Sequence, residues 1–223
     1  MSKVDEHWEL PEVVERFAVR DPDHRLRELV EEYTDPRKVR VLDAGCAGGR
    51  NTLFLAERDF DVHAVDGSKA MVKETRRRLV SVLGEAEAAR RIRVALMDDL
   101  PYEDGAFHLL LSLGLLHNAR SWEEWRRSAR ETTRVLRPGG RMLVAQFTPR
   151  TDLTGEGVRP VPGEPHLYDG FPRGVAVLLE PEELDREMAA FGLRPRTPTE
   201  RGETETEKGR RVSANALYRK VDP

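Results

Sequence analysis

The stretch "VRVLDAGCAGGRNT", residues 39–52, constrains the fold more than any other part of the chain. A short run rich in β-branched residues ends in Asp43, passes Gly45, Gly48 and Gly49, and enters a helical pattern at Thr52. Glycines here let the backbone turn with φ > 0 and approach a ligand closely, and the helix beyond offers free N–H groups and a partial positive charge. The same grammar then repeats. "DVHAVD" reads as a strand, followed by the helix "KAMVKETRRRLVSVL" capped by Ser68. "IRVALMDD" and "FHLLLSL" read as the third and fourth strands. Ser121 caps "WEEWRRSARETTRVL", with Glu124 three positions on as a capping box. "RPGG" stops that helix and turns into "RMLVAQF". Strand and helix in alternation predict an α/β fold, a parallel sheet with helices on both faces. Ligands of such sheets sit at the carboxyl ends of the strands, where strand order reverses.

The flanks read differently. Residues 5–33 are predicted to be helical, with Asp21-Pro22 as a start signal between two segments. Residues 148–174 have no periodicity and many Pro and Gly, yet carry aromatics and His166, which predicts a substrate cap loop. "EPEELDREMAAFG" predicts a helix, and "LRPRTPTE" and "RRVSANALYRK" two strands joined by a charged turn. The expected organisation is one domain over 1–223: an N-terminal helical cap (1–36), a ligand-binding core (37–147), the cap loop (148–179), and a C-terminal helix with a strand hairpin (180–223). The lone cysteine, Cys46, excludes a disulfide framework, and no apolar run spans a bilayer or resembles a signal peptide. The expected location is therefore the cytoplasm, with no membrane partner. A net charge of −3, from 37 Lys+Arg against 40 Asp+Glu, gives no electrostatic case for nucleic acid. The expected partner is a small-molecule substrate, and the chain is read as a monomer or homodimer.

Which ligand would the loop take? "GCAGGRNT" lacks the Gly-Lys-Ser/Thr ending of a phosphate loop. The three positions of G-x-G-x-x-G hold Gly45, Ala47 and Arg50, so only one matches a dinucleotide loop. A cation in a first helical turn opposes the dipole, so Arg50 either pairs with a ligand carboxylate or extends to solvent. Asp66 ends the second strand, about 20 residues beyond the loop, where an acid accepts from both ribose hydroxyls. Asp98 and Asp99 end the third, where a carboxylate can accept from an adenine amino group; simple turn capping is the alternative for each. Adenine, ribose and a carboxylate without obligatory phosphate describe S-adenosylmethionine.

These residues give a resemblance. "VLDAGCAGG", "VDGS", "MDDLPYEDGAFHLLLSL" and "VLRPGGRMLV" resemble the motifs of class I S-adenosylmethionine-dependent methyltransferases, over about residues 39–147. "GGRNTLFLAE" is also similar to the TehB-like branch, in which small molecules or metalloid anions are considered substrates. The resemblance implies a Rossmann-like three-layer sandwich: a mostly parallel seven-stranded sheet with an antiparallel C-terminal strand. It implies S-adenosyl-L-methionine as cofactor, with S-adenosyl-L-homocysteine as product. Gly45 with Cys46, Ala47, Gly48, Arg50 and Asn51 would wrap the methionine part, supported by Asp43. Asp66, Gly67 and Ser68 would hold the ribose. Met97, Asp98, Asp99 and Leu100 would lie at the adenine, and Leu113 and Gly114 along the cofactor. Ala47 replaces a usual glycine.

Catalysis would consist of in-line methyl displacement, with a general base only where the nucleophile keeps its proton. His117, just past the fourth strand, is the first candidate base, with a packed, backbone-bonded histidine as the alternative. His166, Tyr168 and Asp169 form a second candidate cluster in the cap loop. His7 and Trp8 belong to an N-terminal segment expected to fold over the cofactor. No H-E-x-x-H, C-x-x-C or G-x-S-x-G occurs, so no metal site or serine triad is expected. The competing classes are an NAD(P)-binding oxidoreductase on a similar sheet and a non-catalytic S-adenosylmethionine-binding domain.

Overall fold

The computed structural model describes residues 6–221. Asp5, the first residue of the expected N-terminal helix, lies outside them. A single 3-10 turn, Glu6–Glu9, leads into α1 (Pro11–Ala18) and α2 (His24–Val30). The alternating core follows: β1 (Arg40–Ala44), α3 (Arg50–Ala56), β2 (Asp61–Asp66), α4 (Lys69–Leu83), α5 (Glu85–Arg91), β3 (Ile92–Val94), β4 (Phe107–Leu113), a 3-10 turn at Leu116–Asn118, α6 (Trp122–Val135) and β5 (Leu136–Phe147). Then come β6 (Arg159–Pro160), β7 (Leu167–Phe171), β8 (Gly174–Val177), α7 (Pro181–Ala190), β9 (Leu193–Pro195), β10 (Glu200–Thr206) and β11 (Gly209–Lys220).

The main sheet runs β10-β11-β5-β4-β1-β2-β3, with β9 beside β10 on the outer edge of β11. β5, β4, β1, β2 and β3 are mutually parallel, and β11 runs antiparallel to β5. Seven sheet positions with one reversed C-terminal strand match the expected architecture. Strand order reverses between β1 and β4, so the crevice falls at their carboxyl ends.

The period-2 alternation of β4 divides the core. Leu109 and Leu111 point to a layer with Leu26, Leu29, Leu55 and Leu79. Leu110 points to the other, with Trp125, Ala129, Leu184 and Met188. Both faces are buried, which is why the parallel strands read as continuous apolar runs. Local capping sets the helix starts. Ser68 accepts from the Met71 N–H, Ser121 from the Glu124 N–H, and Glu180 with Glu183 forms a capping box on α7. The Glu124 carboxylate takes the Arg120 N–H, one residue ahead of the expected box partner.

Several boundaries differ from expectation, each for a local reason. The cap of α2 is Asp23, which accepts from the Arg25 N–H, rather than Asp21-Pro22. The third strand stops at Val94, and Leu96 and Asp99 form a tight bridge instead. β5 begins at Leu136, before the turn glycines, because Leu136 already pairs with Phe107. The "charged turn" ERGETET is itself β10; a solvent-facing edge strand has no apolar periodicity to reveal it. The aperiodic 148–174 region folds as a small antiparallel sheet, β6-β7-β8.

Candidate active site

The glycine loop closes on the end of β2. Gly45 and Cys46 both donate their N–H to the Val65 carbonyl, at 2.8 and 3.0 Å. The Ala47 N–H donates to Asp66 Oδ2 at 2.9 Å, and Thr75 Oγ1 donates to the Ala47 carbonyl at 2.7 Å. Ala47 holds this position at φ 48°, a left-handed conformation that favours glycine. That explains the family's glycine there: the loop needs positive φ, and alanine meets the need at a cost of about 1 kcal/mol. Beneath the loop, buried Asp43 accepts from Thr52 Oγ1 at 2.7 Å. Burial pushes the Asp43 carboxyl up to about 6. Burial also pushes the Cys46 thiol well above its ordinary range, so it stays protonated.

Asp66 accepts from Ala47 N–H through one oxygen and from Ser68 N–H through the other. Each oxygen keeps a further lone pair, which suits two hydroxyl donors on neighbouring carbons. Burial raises the Asp66 pKa, against the backbone N–H groups of Ser68 and Ala47 that lower it.

A single cavity runs from this loop across the sheet. Of the expected residues, its wall contains Gly45, Cys46, Ala47, Arg50, Asn51, Asp66, Gly67, Met97, Asp98, Leu113 and Gly114. Trp8, Phe17, Leu115, Asn118, Arg120, Glu124, Phe171, Arg173 and Val175 are also in it. The N-terminal segment is fastened over one side. Glu9 accepts the Lys69 and Ala70 N–H groups at the start of α4, and Ser68 Oγ donates to the Trp8 carbonyl at 2.9 Å. At Gly48, a Cβ would lie 2.5 Å from the Ala18 nitrogen, so only glycine lets α1 seat on the loop. The Asn51 amide oxygen takes the Asp23 N–H, and Arg50 donates to the Asp21 carbonyl at 3.3 Å. The opposite side comes from the small sheet: Phe171 in the wall, and Arg173, whose guanidinium stacks 4.0 Å from the Trp8 ring and donates to Asn118 Oδ1.

Other expected residues fall outside the wall. Asp43 and Gly48 lie behind it, in the roles just given. Ser68 is buried and committed to the α4 cap and to Trp8. Asp99 is exposed on the Leu96–Asp99 turn, and Leu100 is in the core with its N–H on Glu131. His117 is 4% exposed and stacks on Phe147 at 3.9 Å. Burial, reinforced by Arg173 and Arg211, pushes its pKa down to about 3. A base that weak and that enclosed does not fit the general-base role. His166 turns away at φ 57°; its ring meets Trp122 at 4.6 Å, and its Nδ1 lies 3.7 Å from Glu183. Tyr168 is half-buried, its pKa raised by burial and by Glu183 and Glu180 on the α7 side. The small sheet thus presents Phe171 and Arg173 to the cavity instead of His166 and Tyr168. Phe171 and Arg173 were missed because nothing local in sequence marks which side of a short, irregular hairpin faces inward; Arg120, in the link to α6, carries no local signal either. Among the described residues, no group of three or more His, Cys, Asp or Glu could hold a metal ion.

Residues 41–140 match the family model described as "Methyltransferase domain". The chain is 35% identical over 132 residues to a malonyl-[acyl-carrier protein] O-methyltransferase from Halorhodospira halophila, which covers 58% of this chain and 41% of that protein. It is 34% identical over 122 residues to a demethylmenaquinone methyltransferase from Clavibacter sepedonicus, covering 53% and 45%. The chain thus spans less than half the length of these relatives. Its fold resembles a Burkholderia thailandensis 1,6-didemethyltoxoflavin-N1-methyltransferase solved with S-adenosylhomocysteine: TM-score 0.64 and 20% identity, over 97% of this chain and 82% of that one. A magnesium protoporphyrin IX methyltransferase from Synechocystis, solved with bound S-adenosylmethionine, gives a TM-score of 0.60 at 18% identity, over 89% and 77%. Residues 41–140 thus match a methyltransferase domain, and the fold around them is similar to that of these S-adenosylmethionine-binding methyltransferases.

Proposed function

We propose that the protein is an enzyme that binds S-adenosylmethionine in this cavity and transfers its methyl group, by in-line displacement, to a small-molecule acceptor. One observation carries the reading. A single cavity at the switch point joins the Gly45 loop, the half-satisfied Asp66 carboxylate and the Met97–Asp98 turn, all within the matched residues. When bound, S-adenosylmethionine supplies a methyl group on a sulfonium, a leaving group that needs no protonation. The protein's residues then act by position. Asp66 accepts the ribose hydroxyls, Asp98 faces the adenine amino group, and Gly45 leaves room that a Cβ would take from Leu115. Trp8, Phe17 and Phe171 exclude water, which strengthens every charged contact inside.

The ionisable wall residues are Cys46, Arg50, Asp66, Asp98, Arg120, Glu124 and Arg173. None is an imidazole, and Glu124 already takes the Arg120 N–H, which favours an acceptor atom that arrives already nucleophilic, with orientation supplying most of the acceleration. The TehB-like likeness gains nothing from the relatives named above. No helix among the described residues is long and apolar enough to cross a membrane. A cytosolic setting, with the chain as monomer or homodimer, completes the proposal. The test is incubation of the full chain with methyl-labelled S-adenosylmethionine and fractionated small metabolites. Acceptor-dependent release of S-adenosylhomocysteine is expected. Tight S-adenosylhomocysteine binding with no labelled product from any fraction would make the protein a non-catalytic S-adenosylmethionine-binding domain.

A further inference from the structure

Many surface arginines have an acid beside them. Arg25 meets Asp23 at 2.7 Å, Arg91 meets Asp61 at 2.7 Å, Arg134 meets Glu131 and Asp104 at 2.7 Å, and Arg141 meets Glu32 at 2.6 Å. Among the described residues, Arg16, Arg20, Arg50 and Arg211 have no such acid, and they gather at one place. Arg50 is in the cavity wall. The Arg20 and Arg16 guanidiniums lie 4.3 and 5.7 Å from the ring of Phe17, another wall residue. The Arg211 guanidinium lies 5.8 Å from the Phe147 ring, which is 5.9 Å from wall residue Phe171. No ion pair among the described residues involves any of the four.

Their charges act on one another. Arg20 is lowered first by burial and then by Arg211, Arg50 and Arg16; Arg211 is lowered by burial, Arg50 and Arg16. Arg211 Nε is also buried without a hydrogen-bond partner. A solvated surface cluster would not strand a guanidinium donor in this way. The cofactor proposed above does not balance these charges. S-adenosylmethionine carries one carboxylate against an ammonium and a sulfonium, so it adds net positive charge beside these four cations, while the wall's Asp66, Asp98 and Glu124 are matched in number by Arg50, Arg120 and Arg173.

We propose that the acceptor is an anion, and that Arg16, Arg20, Arg50 and Arg211 hold its carboxylate or phosphate group at the carboxyl end of the sheet. The proposal rests on the methyltransferase reading for the identity of the site. The oxyanion supplies the charge that the fold leaves out and gives Arg211 Nε an acceptor. Arg20 lies just past α1, Arg50 opens α3 and Arg211 is in β11, so the anion would also tie three segments together. The surplus positive field would draw anions toward the cavity before contact.

The test is calorimetric titration of the full chain with citrate and, separately, inorganic phosphate, each with and without saturating S-adenosylhomocysteine. Arg211→Gln, Arg20→Gln and the exposed Arg16→Gln are titrated in parallel, with circular dichroism to confirm folding. Citrate or phosphate is expected to bind alongside S-adenosylhomocysteine, and the tighter of the two identifies the preferred headgroup. Arg211→Gln and Arg20→Gln should each weaken that binding about tenfold, as expected for loss of a charge-assisted bond, while S-adenosylhomocysteine affinity stays within about twofold. Arg16→Gln should weaken it less. The proposal is overturned if neither anion binds, if the anion displaces S-adenosylhomocysteine, or if the variants bind it as the wild type does. Failure of S-adenosylhomocysteine itself to bind overturns the function proposed above, and the anion arm without it still reads this site.

Discussion

The two sides of the cavity are built in different ways. The cofactor side is local: a loop, an acid one strand away, and a turn one strand beyond that, all joined by backbone hydrogen bonds. Gly45 and Cys46 donate to the Val65 carbonyl, Ala47 and Ser68 to the Asp66 carboxylate, and Thr75 to the Ala47 carbonyl. The other side is assembled from remote segments. Trp8 and Phe17 come from the N-terminus, Phe171 and Arg173 from the small sheet, and Arg211 from the last strand. The first side has fixed chemistry and a fixed spacing. The second has neither, as expected where one scaffold keeps a ligand site and varies what is grafted beside it.

This division can be broken by substitutions confined to one side. The largest effect is expected at Asp66→Ala. It removes the acceptor of the Ala47 and Ser68 N–H groups together with the proposed ribose contact, and should weaken S-adenosylhomocysteine by a hundredfold or more, about 3 kcal/mol or above. Calorimetry checks it, and citrate binding should be spared. Next is Gly48→Ala. Its new Cβ would meet the Ala18 backbone at 2.5 Å, so α1 must lift from the loop at about 1–3 kcal/mol. Limited proteolysis should show earlier cleavage within residues 6–18, and S-adenosylhomocysteine affinity should fall.

His117 sharpens the comparison through pH. Its folded pKa lies below the unfolded value of 6.5, at about 3. Between those values the unfolded chain binds a proton that the folded chain refuses, so stability falls as pH drops below about 6.5. At pH 5 the loss is about 2 kcal/mol. His117→Phe should remove this part of the acid lability in urea titrations at pH 5 and pH 7, and methyl transfer should survive. A thousandfold fall in turnover with the fold intact would restore His117 as the base. Asp43 has the opposite sign. Its carboxyl, raised from 3.8 to about 6, costs nothing below pH 3.8, and the cost grows to about 3 kcal/mol above pH 6. Asp43→Asn should therefore gain stability relative to wild type on going from pH 4 to pH 7. The smallest effect is expected at Ala47→Gly, which relieves positive φ and should raise stability by at most about 1 kcal/mol in the same titrations, without altering ligand affinity.

The same division explains what the sequence reveals. β1, β2, β4 and their loops are buried on both faces and carry their ligand groups at strand ends, so apolar runs and following acids mark them. The capping residues Ser68 and Ser121 are legible because a cap acts over three positions. Asp98 and Asp99 are adjacent in sequence, but a two-residue turn sends one to the cavity and the other to solvent. His166 and Tyr168 have the residue types of a catalytic pair, yet the positive φ of His166 and the twist of β7 direct them toward Trp122 and α7. β10 is invisible to apolar periodicity because its alternating Glu and Thr face water. The arginine cluster joins positions nearly two hundred residues apart, which only the closed sheet brings together.

The central claim is that the switch-point cavity is an S-adenosylmethionine site held by Asp66. The direct measurement is titration of the full chain with S-adenosylhomocysteine and with NADH. Saturable S-adenosylhomocysteine binding and no comparable NADH binding are predicted. Tighter binding of NADH, or no binding of S-adenosylhomocysteine, would contradict it.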